Sequence, residues 1–492
     1  MGSSLPGRGR GSLVLALSIS AAASGVRTHP AQPSPPTAST EDLSALIAEG
    51  CYRCLERAYE QAQARGASTH AFEAASLLVL RSKELGLPYT AWLTAATALA
   101  DTAARAVLTM VEAIPPDALS GDPDAVLNMS GRVQARTSLE VWRETLRTGP
   151  WSEVFKAYID VSLLCAFGKL IENEQSFAGP LDRVAEAPAY QYRVGICDNR
   201  QWARLAAFRE RHANYAEADF ALGRYAFDDP VNPDQEEGLR RLQSAAAAFP
   251  QSPAIAATIG NVYRAWEEWT AALEAFDRTL ALSPHHPEAL IGRTISLSRL
   301  GRPAEAIETA SRAIDGQWRR GEAFYWRAWN RLVTAEYQAA RSDADQAKSL
   351  MANAAVFVLS GAIEWRLQRR ESAEKEFEQA LLMDLGECEA AFNLGVVRDE
   401  LGKSPAAVAA FTQARQCYDL SIALRQEAIA KIRSGPGNDQ TRQRAAALHE
   451  RALRDFEARR DEAARLAEVL QKTAGGQGEA VRLRAIRHRG GT

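Results

Sequence analysis

The sequence predicts an all-α fold, and three observations carry that prediction. Alanine-rich stretches run with few β-branched neighbours, and alanine loses least on entering a helix. Apolar residues recur at helical intervals through most of the chain. Small and aromatic residues also return about every 34 positions between residues 216 and 420. The composition agrees, with 46 % hydrophobic and 24 % charged residues, as in a folded chain and not a disordered one. A formal charge of −3 over 492 residues gives no general ground for binding nucleic acid, which needs clustered Lys and Arg.

Residues 1–23 read as a signal peptide. Arg8 and Arg10 form its positive start, Leu13 to Ile19 its apolar core, and Ala21-Ala22-Ala23 a small-residue cleavage site. Export to a periplasmic or secreted location is therefore expected, with a cytosolic protein as the alternative. Residues 24–40 form a Pro/Ser/Thr-rich linker, including Pro33-Ser34-Pro35-Pro36, which cannot bury a core. No stretch supplies the roughly 20 apolar residues of a membrane span.

Residues 41–215 read as helical without a fixed period. Segments at Glu41–Arg65, His70–Leu85, Tyr89–Ile114, Ala125–Arg147 and Ser152–Asn173 have helical length and apolar spacing. Breaks are expected at Gly66, Gly86-Leu87-Pro88, Pro115-Pro116, Gly121-Asp122-Pro123 and Gly149-Pro150. Such pairs suggest degenerate repeats, or a separate helical domain.

The periodic region begins clearly at Pro253, with Gly260, Tyr263, Ala272, Phe276 and Pro284 at places 8, 11, 20, 24 and 32 of a 34-residue unit. Place 8 recurs as Gly260, Thr294, Ala328, Gly361 and Gly395, and place 20 as Ala272, Ala306, Ala340, Ala373 and Ala407. Place 24 holds Phe276, Ala310, Ala344, Phe377 and Phe411. A sixth unit precedes these, with Gly223, Gly238, Leu242, Ala245 and Pro250 in phase around a three-residue insertion near Asp228–Pro233. A small residue at place 8 lets the first helix of a unit approach the second, and proline at place 32 stops the second. This set resembles the tetratricopeptide repeat family over about residues 216–420, in about six repeats. The resemblance implies a right-handed superhelical solenoid of antiparallel helix pairs that binds proteins or peptides. Units starting near 287 and 321 lack the consensus Gly and aromatic residues and are assigned by phase.

Residues 421–474 are expected to form a C-terminal helical hairpin, in which Ser421–Arg433 continues the last helix and Gln440–Lys472 folds back as a cap. An open-ended solenoid needs such a cap. A coiled-coil dimer helix is the other reading, disfavoured by alanine at many seam positions. Residues 475–492 read as a disordered, mildly basic tail.

No catalytic site emerges. No phosphate loop, Gly-x-Ser-x-Gly elbow or His-Glu-x-x-His helix is present, and no cofactor or metal site is expected. Cys51 and Cys54 form one CxxC, too few ligands for zinc and outside any βαβ context, so they read as small buried core residues. Cys165 and Cys197 lack ligand spacing. Cys388 and Cys417, at opposite ends of one helix pair, are expected near each other. His285-His286 reads as an exposed turn. A metal or redox function in the first half is the weakest reading.

In this family, places 2, 5, 9 and 12 of each first helix tend to line the concave face. Here these include Asn261, Arg264, Glu288, Ile291, Ile295, Ser298, Glu322, Tyr325, Trp329, Leu332, Val358, Glu389, Phe392, Val396 and Asp399. The Lys/Asn/Arg pattern with which some members clamp a terminal carboxylate is absent. The expected peptide groove thus comprises Asn261, Arg264, Ile291, Glu322, Tyr325, Trp329, Glu389 and Phe392. Its anchors are Tyr325, Trp329 and Phe392, and its ligand is an apolar or basic-and-apolar segment. The alternative use of these side chains is packing between helices.

Overall fold

The structure, a computed structural model, describes residues 42–115, 132–167, 184–197, 202–228, 234–435 and 439–474. The expected signal peptide, linker, C-terminal tail and most of the insertion before residue 234 lie outside the described residues. Among the described residues there are 22 helices and no strand.

Capping chemistry sets the helix boundaries of the first half. Helix α1 (Leu43–Glu49) is separated from α2 (Tyr52–Ala64) by Gly50, at φ +64°, where an added Cβ would lie 2.4 Å from that of Ala189. The single helix expected over Glu41–Arg65 is therefore two. Helix α3 covers Ser68–Glu84. The helix expected over Tyr89–Ile114 also divides, into α4 (Thr90–Leu99) and α5 (Thr102–Ala113), because the Asp101 carboxylate accepts from the Ala104 N–H at 2.9 Å and starts a new helix. Then follow α6 (Arg132–Thr148), α7 (Glu153–Phe167), α8 (Pro188–Cys197) and α9 (Trp202–Arg211).

Six helix pairs come next, in phase with the repeat. They are α10 (Ala216–Asp228) with α11 (Gln235–Ala248), α12 (Pro253–Ala265) with α13 (Trp269–Leu282), and α14 (Pro287–Arg299) with α15 (Pro303–Asp315). The later pairs are α16 (Arg320–Val333) with α17 (Tyr337–Leu350), α18 (Ala354–Arg366) with α19 (Arg370–Met383), and α20 (Cys388–Glu400) with α21 (Ser404–Ser434). The place-8 glycine and the place-24 phenylalanine explain the packing of a pair. A Cβ on Gly260, Gly361 or Gly395 would come within 2.7–2.8 Å of the Phe276, Phe377 or Phe411 ring respectively. Where place 8 is larger, as Thr294 or Ala328, place 24 shrinks to Ala310 or Ala344. Volume is exchanged across the contact, which is why two units without the consensus still form.

The turn inside five of these pairs also repeats. Glu267, Gly301, Ala335, Gln368 and Gly402 all have positive φ, between 58° and 71°. The final helix, α22 (Asp439–Ala474), is 36 residues long, or about 54 Å at the α-helical rise. It packs against α21, and its Ala463, Leu466 and Leu470 join the apolar cluster of Phe377, Phe392 and Phe411.

The first half and the first repeats share one apolar cluster, running from Leu46 through Phe72, Phe155 and Tyr192 to Leu242 and Trp266. Within it lies a fully buried polar group that the sequence did not reveal. Arg81 contacts Glu217 at 3.0 Å, donates to the Gly50 carbonyl at 3.1 Å and stacks 3.7 Å from the Tyr192 ring centroid. Glu217 also accepts from the Tyr52 N–H at 2.9 Å. Burial pushes the Glu217 carboxyl up, against the opposing pull of Arg81. Nearby, Lys83 donates to the carbonyls of Val111, Glu112 and Ile114 at 2.9–3.0 Å, closing the end of α5.

All six cysteines pair. Cys388–Cys417 bridges the ends of its helix pair with Cα atoms 5.4 Å apart, as expected from their places. Cys165–Cys197 and Cys51–Cys54 are also disulfides, with Cα separations of 5.8 and 4.9 Å. Cys51 and Cys54 are buried, as expected, but as a bonded pair.

Candidate functional site

The first helices of three consecutive pairs build a cleft of about 380 Å³. Helix α12 contributes Asn261 and Arg264, α14 contributes Ile291 and Ile295, and α16 contributes Glu322, Tyr325 and Trp326. Five of the expected groove residues therefore meet in one place: Asn261, Arg264, Ile291, Glu322 and Tyr325. The spacing explains this, since positions three or four apart on a helix share a face and successive units stack in parallel. Ile291 and Tyr325 are buried against neighbouring helices and still form the cleft floor, with Tyr325 edge-on to Trp326 at 5.4 Å.

The charges at the rim decide what the cleft can accept. Glu322 is engaged by Arg319 at 2.6 Å. Arg319 sits at the turn before α16 with φ +41°, and Gln317 in the same loop has φ +61°. Such conformations cost energy for residues other than glycine. Here the strain sets the Arg319 guanidinium at the rim of the cleft. Half-buried Arg264 donates to Asn261 Oδ1 at 3.4 Å, and among the described residues no carboxylate comes within ion-pairing distance of it. Burial, with the Arg319 charge adding, holds the Arg264 pKa below the ordinary guanidinium value.

Trp329, Glu389 and Phe392 lie outside this cleft. Trp329 is half-buried against the apolar cluster of α13–α18. Glu389 is ion-paired with Arg459 of α22, and Phe392 is buried in the cluster that α22 completes. That end of the concave face is occupied by the chain's own last helix. The same helix reaches the opposite end. Arg444 contacts Glu236 at 2.6 Å and Glu268 at 3.2 Å and stacks on the Trp266 ring at 4.1 Å, while Arg451 contacts Glu267 at 2.6 Å. Leu448 packs against the cluster containing Trp266. One helix thus ties the first two pairs to the sixth, and Glu389, expected to face a partner, faces α22 instead.

The tetratricopeptide repeat family model matches residues 257–323 and 360–421. Those two segments fall on the helix pairs just described. These residues carry tetratricopeptide repeats. Among solved structures, MamA matches at 21 % identity, over 33 % of this chain and 96 % of its own, with a TM-score of 0.30. PilW, described as a type IV pilus biogenesis factor, matches at 16 % identity over 41 % and 92 %, with a TM-score of 0.37. A tetratricopeptide repeat protein from Parabacteroides merdae matches at 17 % identity over 51 % and 94 %, with a TM-score of 0.33. No curated protein gave a significant match.

The cleft has an apolar floor and a rim of mixed charge, with Arg264, Arg299 and Arg319 set among Glu267, Glu288 and Glu322. Among the described residues no group of three or more His, Cys, Asp or Glu is placed to hold a metal ion. No described helix is long and apolar enough to cross a membrane. The sequence reading missed Arg319, which lies in the turn before α16 and outside the places that usually line the concave face. Its signal was local, in the irregular Gly316-Gln317-Trp318-Arg319 turn that replaces the usual proline stop.

Proposed function

We propose that the chain is a non-catalytic scaffold that holds a peptide segment of a partner protein in the cleft formed by α12, α14 and α16. The observation that carries this reading is the meeting of Asn261, Arg264, Ile291 and Tyr325 around one 380 Å³ cleft. The ligand is a short segment with an apolar side chain for Ile291 and Tyr325 and a carboxylate for Arg264. A basic segment is less well served, because two of the three carboxylates lining the cleft, Glu322 and Glu267, already pair with Arg319 and Arg451. Peptide arrays of acidic–apolar, basic–apolar and neutral–apolar sequences, followed by fluorescence polarisation on the full chain, test this. Arg264→Glu should weaken the best acidic–apolar peptide at least about tenfold, as expected for a half-buried arginine hot spot. Equal binding to the variant, or preference for basic peptides, overturns it.

Export is the accompanying proposal. Three bonded cysteine pairs suit an oxidising compartment and the n-region, apolar core and Ala21-Ala22-Ala23 of the leader. N-terminal sequencing of the chain from its native cell should find a start near Ser24. A start at Met1 would favour the cytosolic adaptor instead.

A further inference from the structure

The Cys51–Cys54 pair stands apart from the other two disulfides. It closes a loop with a sequence separation of only 3, against 32 for Cys165–Cys197 and 29 for Cys388–Cys417. Short loops lose little chain entropy on closure, so less stabilises the bond against reduction. Its two sulfurs also line a second cavity, of about 540 Å³, whose walls include exposed Arg53, Arg57, Glu60 and Asn214 and buried Glu217 and Phe249. Solvent therefore reaches the wall that holds the bond, although each cysteine is 2 % exposed or less.

The surroundings favour the reduced, thiolate form. Cys51 is the N-cap of the 13-residue α2, and its Sγ accepts from the Cys54 N–H at 3.1 Å. A helix N-terminus stabilises negative charge there. Cys54 Sγ accepts from the Asn214 amide at 3.6 Å, and the Arg57 guanidinium lies 4.0 Å away. Carboxylates oppose this only in part: Glu217 is paired with Arg81, and Glu56 lies in the field of Arg53. A disulfide whose reduced form is stabilised is a stronger oxidant.

We propose that Cys51–Cys54 is a thiol–disulfide exchange site that accepts two electrons from a protein dithiol entering the 540 Å³ cavity. A thiolate of the partner bonds to Cys54 Sγ, the Cys51–Cys54 bond breaks, and Cys51 leaves as a thiolate at the helix N-terminus. The partner's second thiolate then attacks its own sulfur in the mixed disulfide and releases Cys54 as a thiolate. The partner leaves as a disulfide, Cys51 and Cys54 are left as the dithiol pair, and the two protons lost by the partner's thiols are taken up by them or by solvent.

Equilibration of the folded full-length chain in graded reduced and oxidised dithiothreitol tests this, with alkylation and peptide mass spectrometry reporting all three pairs. Cys51–Cys54 should reach half-reduction at a reduced-to-oxidised ratio at least about tenfold below the other two. Arg57→Ala should move that midpoint about threefold towards the disulfide, and the oxidised chain should convert a dithiol peptide to its disulfide. Cys51→Ser with Cys54→Ser should abolish that conversion. The proposal falls if Cys51–Cys54 is reduced together with or after the other pairs. It also falls if the Arg57→Ala midpoint is unmoved. The Arg57 measurement keeps the idea open to refutation even where the double serine variant does not fold.

Discussion

At the scale of single residues, the repeat is written as much in backbone angles as in side chains. The turn position shared by Glu267, Gly301, Ala335, Gln368 and Gly402 is left-handed in all five of these units, yet only two of the five are glycine. Ala335 is exposed, and its methyl group has no polar atom with which to offset the left-handed cost. Ala335→Gly should therefore stabilise the fold by about 0.5–1 kcal/mol in urea denaturation, after the larger unfolded-state entropy of glycine is subtracted. Gly402→Ala should destabilise it by a similar amount. A loss of stability in Ala335→Gly would contradict the strain argument. His286 gives a pH-dependent counterpart. Its Nδ1 accepts from the Ala289 N–H at 3.4 Å as the N-cap of α14, a role only the neutral ring can fill. Burial, opposed by Glu288, lowers its pKa below the ordinary histidine value. A depressed base favours folding above the unfolded pKa of about 6.5 and loses that contribution as pH falls through the folded value. Urea midpoints should thus fall more between pH 7 and 5 in the parent chain than in His286→Asn, which keeps the cap without titrating. Parallel pH profiles would rule this out.

At the scale of elements, the sequence was most legible where one contact repeats. Gly260–Phe276, Gly361–Phe377 and Gly395–Phe411 recur in phase, so their helix pairs could be read directly. Units near 287 and 321 lacked the signature because Thr294 with Ala310, and Ala328 with Ala344, divide the same volume differently. In the first half the breaks expected at Gly66, Gly86-Leu87-Pro88 and Gly149-Pro150 fall between helices, but two more were missed, since Gly50 and Asp101 act through a left-handed turn and an N-cap within long apolar stretches. Helix α22 was expected to cover the last pair, and its apolar positions did indicate one buried face. That its other end would reach Trp266 was not legible, because an arginine on a helix surface does not name its partner. The two ends are held differently. Leu466 and Leu470 are buried in an apolar cluster, whereas Arg451 forms an exposed ion pair with Glu267, the kind worth 0.2–1 kcal/mol by typical measurement, about the scale of a fraying event. Hydrogen exchange should be faster over residues 442–452 than over 460–472, and Arg444→Glu with Arg451→Glu should widen that difference. Uniform protection along α22 in the double variant would contradict this description.

At the scale of the molecule, a repeat array is quasi-one-dimensional unless distant units are tied together. Two ties are present. Arg81 and Glu217, 136 residues apart, fix the first half to the first helix pair through a buried charge contact, and α22 joins the first two pairs to the sixth. Neither was visible in the periodicity, which reports which face a residue occupies and not what lies on it. The same reason explains why Asn261, Arg264, Ile291, Glu322 and Tyr325 were found together while Glu389 and Phe392 were taken by α22. The central claim is that the open stretch of the concave face, and not the convex surface, engages a partner. A photo-crosslinking residue at half-buried Ile295 in the cleft, compared with one at exposed Glu308 on α15, tests it in the native cell. The account predicts one partner peptide crosslinked at residue 295 and absent at residue 308, with the yield reduced at least about tenfold by Arg264→Glu. The same partner recovered equally at both positions, or an unchanged yield in the Arg264→Glu background, would contradict it.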